Sequence, residues 1–135
     1  MYVRTFQLSD YAKVTELLES SLSDSCFRDT KSAFARQLYW DSSLVLVAEK
    51  EGRIVGVIIG TIDDNIGYYY RVTVAPGFRN RGIGKALITK LGERFVERKV
   101  GRILVTIDDH NEPVIPVFES LGFGLDCFIT SFKKL

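Results

Sequence analysis

The stretch Arg79–Lys85 reads RNRGIGK, with VTVAPGF before it (Val72–Phe78) and ALITKL after it (Ala86–Leu91). Glycine costs a helix interior roughly 1 kcal/mol relative to alanine, so Gly82 and Gly84 are out of place in an ordinary surface helix. They fall where a β-branched run gives way to a helical pattern. The first amide N–H groups of a helix have no intrahelical acceptors, and the helix dipole adds positive charge at that end. Glycine admits positive φ and leaves no Cβ in the path of an anion. With Arg79, Arg81 and Lys85 alongside, the stretch has the chemistry of a pyrophosphate cradle.

Two familiar phosphate loops do not fit it. Gly77 and Gly82 have the separation of a Walker A loop, but Ile83-Gly84 follows where Lys-Ser/Thr is required. A dinucleotide fingerprint needs a third glycine three residues after the second, and Leu87 stands there.

Two other clusters carry titratable groups. Asp108-Asp109-His110 follows an apolar strand, and His110 is the only histidine, with an ordinary pKa of ~6.5 that suits a base. Loop aspartates also serve as turn or cap residues, and a lone loop histidine is often merely solvated. Tyr68-Tyr69-Tyr70 lies on a strand, where alternation puts Tyr68 and Tyr70 on one face and Tyr69 on the other. Such tyrosines serve packing with a polar tip at the rim, or they wall an amine pocket in which Tyr68 or Tyr70 donates a proton. Cys26 and Cys127 have no metal-ligand or CxxC spacing and read as inert thiols; no metal site is expected.

The elements that must position these groups follow from periodicity. Strands are predicted over Tyr2–Gln7, Leu44–Glu49, Ile54–Ile62, Tyr68–Val74, Arg102–Ile107 and Phe123–Phe132. Helices are predicted after the capping types Ser9 and Asp10, where Val14, Leu17, Leu18 and Leu22 recur, and over Lys31–Tyr39, Gly82–Lys99 and Asn111–Leu121. Ser23–Asp29 is polar and has no clear assignment. Pro116 is tolerated only in a first helical turn, so the last helix is expected to begin after Asn111.

The order β-α-α-β-β-β-α-β-α-β predicts a single α/β domain over residues 1–135, a mixed, mostly antiparallel sheet with helices on both faces. One parallel βαβ crossover is expected, from Tyr68–Val74 to Arg102–Ile107. At 135 residues, 46% apolar and 26% charged, the chain suits one core. A net charge of +1 gives no bulk field for nucleic acid or an anionic membrane. Without an apolar run of ~20 residues, the default setting is cytoplasmic.

The segment VTVAPGFRNRGIGKALI resembles the acetyl-CoA-binding motif of the GNAT superfamily of N-acetyltransferases, in which a strand ending in V-x-P leads into [QR]-x-x-G-x-[GA] and a long helix. Arg79-Asn80-Arg81-Gly82-Ile83-Gly84 matches each fixed position. VRTFQLSDYAKVTELL, LVLVAEKEGRIVGVIIG, and Asn111 followed by VFESLGF are similar to other family segments, so the resemblance spans nearly the whole chain. It implies the GNAT sandwich and transfer of an acetyl group from acetyl-CoA to a primary amine of a small molecule or peptide, directly in a ternary complex. It implies that main-chain amides from Arg81 to Lys85 hold the pyrophosphate. It implies that Val72, Thr73 and Val74 offer backbone groups to pantetheine and the acetyl carbonyl. Asn111 matches an asparagine that hydrogen-bonds the coenzyme, a position that equally suits a helix cap.

The familiar catalytic positions of that family are altered. The tyrosine acid of the last helix is Phe118, and the two positions that often carry a glutamate base are Tyr68 and Thr106. A lysine of pKa ~10.4 needs a base to become neutral, whereas an α-amino group of pKa ~7.7–8.0 has a useful neutral fraction. Either the acceptor has a lowered pKa, or a base stands elsewhere, with Tyr68, Tyr70 and His110 as candidates. An acyl-CoA-binding sensor module with little turnover is the alternative. A monomer or homodimer is compatible with either.

Overall fold

A computed structural model describes residues 1–130 of the chain. Its six strands form one sheet in the order β1-β2-β3-β4-β5-β6, so spatial order follows chain order. The strands are β1 (Tyr2–Thr5), β2 (Val45–Lys50), β3 (Arg53–Asp63), β4 (Ile66–Val74), β5 (Arg102–Ile107) and β6 (Phe128–Thr130). The helices are α1 (Tyr11–Ser21), α2 (Asp24–Asp41), α3 (Ile83–Glu97) and α4 (Ile115–Ser120).

The β2–β3 and β3–β4 turns are tight because their residues sit at positive φ: Glu51 and Gly52 at 52° and 75°, Asp64 and Asn65 at 50° and 64°. These primed-turn conformations match the twist of the paired strands. β1 to β4 pair antiparallel. β4 and β5 pair parallel around α3, as the βαβ pattern requires. β5 and β6 also pair parallel, so α4 makes a second short crossover where one was expected. The short helix returns the chain to the edge at which β5 began, which leaves β6 no antiparallel route.

Alternation along β2 and β3 builds two cores. Val14, Leu17, Leu18 and Phe34 of α1 and α2 meet Val45, Val47, Val57 and Ile59 on one face. On the other, Leu87, Ile88, Leu91 and Phe95 of α3 meet Leu46, Ala48, Ile58 and Tyr69. Gly60 and Gly67 lie under α3, where a Cβ would stand 2.7 Å from Leu91 Cδ2 and 2.8 Å from Phe95 Cγ. The missing side chains let the helix sit close to the sheet. Tyr69 donates its phenolic hydrogen to Ile88 O at 2.9 Å, and burial pushes its phenol up.

Several boundaries differ from expectation. α2 is twice as long as the predicted Lys31–Tyr39 and takes in Ser23–Asp29, because Ser23 caps it by accepting from Cys26 N at 3.3 Å. α4 starts at Ile115 with Pro116 in its first turn, after a 3-10 turn over Glu112–Val114. A 3-10 turn over Leu125–Cys127 delays the start of β6 to Phe128; the predicted residues 131–132 lie outside the described part. Among the described residues no helix is long and apolar enough to cross a membrane.

Candidate active site

β4 and β5 are paired from Ile66↔Arg102 only as far as Tyr69↔Val105. Beyond that point β4 continues on β3 to Val74, while β5 continues on β6 to Ile107. The two strands therefore part, and among the described residues one edge of β4 after Tyr69 has no strand partner. A cleft of about 800 Å³ opens there. Its walls are Arg71–Val74 of β4, the head of α3, and His110 and Asn111 after β5; its far end is closed by Ser21, Leu22, Ser23 and Cys26 at the α1–α2 junction.

The head of α3 is shaped by two residues at positive φ, Asn80 at 62° and Gly82 at 81°. Gly82 is the N-cap, and the first helical hydrogen bond runs from Ala86 N to Gly82 O at 3.0 Å. Among the described residues none accepts from the amides of Arg81 to Lys85. A Cβ on Gly82 would meet nothing within 4 Å, and one on Gly84 only Val74 Cγ2 at 3.9 Å, so both would project into open space at the cleft. Unpartnered donors at a helix head, beside a space that a side chain on Gly82 or Gly84 would enter, suit a diphosphate. Buried Ile83 fixes the helix head to the core.

The arginines beside the cradle hold its loop. Arg79 Nε donates to Val74 O at 3.0 Å. Arg81 lies over the ring of Phe78 at 5.3 Å, as do Arg53 at 5.5 Å and Lys50 at 5.9 Å. Lys85 is exposed on the cleft wall.

A bulge organises the opposite wall. Gly60 faces Tyr69 and Ile59 faces Arg71, so Tyr70 is an extra residue with no partner on β3. The extra residue breaks strict alternation. Tyr70 packs against the α1–α2 core, and the next side chain, Arg71, also reaches α2. Arg71 is buried. Its Nε donates to Thr30 Oγ1 at 3.0 Å, Nη1 and Nη2 donate to Asp108 Oδ1 and Oδ2 at 3.2 and 3.0 Å, and Nη2 also donates to Tyr70 Oη at 3.3 Å. Its guanidinium stands 4.8 Å from the Tyr70 ring centre.

Asp108 also accepts from His110 N at 2.9 Å. Burial pushes its carboxyl up, but the bonds from Arg71 and the His110 amide outweigh burial and hold it below the usual carboxylate range. A carboxylate held in this way is a poor general base at neutral pH. Asn111 does not cap the following turn with its side chain. Its Oδ1 accepts from Asp108 N at 2.7 Å and its Nδ2 donates to Thr106 O at 3.0 Å, bracing the loop and leaving one Nδ2 hydrogen for another acceptor. His110 Nε2 lies 3.4 Å from Asp29 Oδ2 on α2.

Of the residues singled out from sequence, Val72, Thr73, Val74, Arg79, Asn80, Gly82, Ile83, Gly84, Lys85, His110 and Asn111 line one cleft. Arg81 is not among the lining residues, although Asn80 and Gly82 on either side of it are. Tyr70 lines a recess of about 10 Å³ between the parted strands, together with Thr106 and Phe118. Tyr68 does not line either space, because it stands in the section where β4 and β5 are still paired, opposite Leu104. Phe118 is 2% exposed and packs 5.1 Å from Tyr69 and 5.3 Å from Phe123, which accounts for an aromatic ring without a hydroxyl there. Arg71 also lines the cleft and is not among the residues singled out from sequence. The one local sign of Arg71 is a single charge inside the strand YYYRVTV.

A family model described as acetyltransferase (GNAT) family matches residues 11–123. An acetyltransferase of Yersinia enterocolitica is 33% identical over 135 residues, spanning 100% of this chain and 96% of that protein. The PaiA N-acetyltransferase of Thermoplasma acidophilum, solved in complex with coenzyme A, has a TM-score of 0.76 at 16% identity and covers 91% of this chain and 89% of its own. A GNAT family acetyltransferase from Brucella melitensis, solved with acetyl-CoA, has a TM-score of 0.74 at 19% identity, covering 91% and 82%. At these identities the two structures speak for the fold.

Proposed function

The chain belongs to the GNAT acetyltransferase family, and on that premise we propose that it transfers an acetyl group from acetyl-CoA to a primary amine of a small molecule or peptide, directly, with both substrates bound. The observation that carries this reading is the row of unpartnered amides from Arg81 to Lys85, set at the mouth of the gap where β4 leaves β5. Those amides and Lys85 take the diphosphate. The unpaired edge of β4 at Val72–Val74 takes the pantetheine arm and directs a main-chain N–H at the acyl oxygen, where negative charge builds. Asn111 offers its remaining amide hydrogen from the opposite wall.

Acetyl-CoA supplies an activated acyl carbon and a thiol leaving group. The amine nitrogen bonds to that carbon as the carbon–sulfur bond breaks, the surplus proton on nitrogen passes to water, and coenzyme leaves as thiolate. A thiol pKa of ~8.5 makes such departure feasible without an acid at Phe118. Tyr70, bonded to Arg71 and lining the recess between the parted strands, supports a reading in which it returns a proton to sulfur; His110, on the cleft wall, belongs to the acceptor side in that reading. Tyr68 takes no part.

The test is release of CoA thiol from acetyl-CoA with a panel of amines, alongside calorimetric binding of acetyl-CoA. Amine-dependent release is the expected result. Binding with no transfer to any amine would overturn it in favour of an acyl-CoA-binding sensor.

A further inference from the structure

The acceptor end of the cleft has an unusual balance of polar groups. No Asp or Glu lines the cleft or its inner recess among the described residues, and residues 131–135 (SFKKL) contain none. Asp108, which meets the cleft-lining Arg71, has both oxygens engaged by it. Asp29 stands outside, largely exposed beside His110. An acceptor with a second positive charge would therefore find no anion to meet it inside.

Oxygen acceptors, in contrast, are in demand. A guanidinium has five N–H donors, and four of those on Arg71 are taken by Thr30, Asp108 and Tyr70. One Nη1 hydrogen has no acceptor among the described residues, on a side chain only 3% exposed. The buried hydroxyls of Thr73 and Ser21, on residues that line the same cleft, are also without partners among the described residues. Buried donors left unmade are costly, so a ligand that completes them gains affinity and selectivity.

We infer that the acceptor is an α-amino group, recognised through the carbonyl or carboxylate oxygen beside its amine by the guanidinium of Arg71. This rests on the transferase reading above and narrows it. Where the acceptor is a chain N-terminus it also accounts for a cleft with no carboxylate base, since a peptide α-amine of pKa ~7.7–8.0 has a far larger neutral fraction at pH 7 than a lysine of ~10.4.

The experiment compares kcat/KM for alanine, an alanyl peptide amide, isopropylamine (methyl in place of the carboxylate), Nα-acetyl-lysine and spermidine. Alanine or the peptide should exceed isopropylamine by ~10²-fold or more, because a site built for an oxygen rejects analogues that lack it. Alanine above the peptide identifies a free amino acid as the source; the reverse identifies a chain N-terminus. In Arg71→Lys the contrast should fall below ~10-fold, mainly through KM, with CoA affinity kept. Isopropylamine, Nα-acetyl-lysine or spermidine matching the α-amines would overturn the inference and leave the transferase reading standing. So would an undiminished contrast in Arg71→Lys. Transfer to none of them, with acetyl-CoA bound, would overturn both. The wild-type panel decides the matter even where the variant fails to fold.

Discussion

Asp108→Asn removes one half of an ion pair that joins three elements of the site. The carboxylate meets Arg71 through two bonds of 3.0 and 3.2 Å, with side chains 17% and 3% exposed. Breaking such a pair leaves a buried charge uncompensated and costs ~3–5 kcal/mol. Asparagine retains one acceptor oxygen, which places the expected loss near ~3 kcal/mol. For 135 residues the unfolding entropy is roughly 0.28 kcal/mol/K, so the melting temperature should fall by ~10 °C. Scanning calorimetry and urea melts at pH 7 measure both. The folded-state carboxyl is held below its unfolded value of ~3.9, so its stabilisation is complete above that pH and disappears as pH falls through the folded value. The gap between wild type and Asp108→Asn should therefore close below pH ~4. The double variant Arg71→Met/Asp108→Leu should recover much of the loss, because no buried charge remains. A loss under ~1 kcal/mol at pH 7, or an unchanged gap at pH 3, would refute the reasoning.

Gly52→Ala and Gly82→Ala form a matched pair, at φ 75° and 81° with open space around each added Cβ. Each should lose ~1–2 kcal/mol in urea melts through left-handed strain, but only Gly82→Ala should weaken CoA in titration calorimetry. Gly67→Ala forces a methyl to 2.8 Å from Phe95 Cγ and should cost ~1–3 kcal/mol, partly recovered by Phe95→Leu in the same melts.

The parts legible in the sequence were those in which one local signal decides the outcome. Arg102–Ile107 is an apolar run bounded by Gly101 and Asp108, and β5 has those bounds. The turn at the head of α3 was legible because Gly82 and Gly84 are costly inside a helix, and Gly82 is its N-cap at φ 81°. α2 was half missed because its fully buried stripe is Cys26, Thr30, Phe34 and Gln37, two of them polar, so hydropathy shows little periodicity. Thr30 is buried because it accepts from Arg71, and Gln37 because it donates to Asp41 O at 2.9 Å. Arg71 is brought to Thr30 by the fold and not by proximity in the chain, whereas Asp41 lies only four residues beyond Gln37 on the same helix. The Tyr70 bulge is of the same kind: it depends on the register between β3 and β4, and alternation alone gives no sign that Tyr70 and Arg71 share a side. Tyr68 was misplaced for the related reason that sequence does not show where two parallel strands part.

Gly84→Val separates the cradle from the fold most cleanly. Gly84 is helical without positive φ, and an added Cβ meets only Val74 Cγ2 at 3.9 Å, so apo stability should hold or rise by up to ~1 kcal/mol as a glycine leaves the helix. The same side chain fills the space in front of the Arg81–Lys85 amides, and titration calorimetry should show CoA affinity down by at least ~10-fold, or ~1.4 kcal/mol. Unchanged CoA affinity in a protein of wild-type stability would contradict the account.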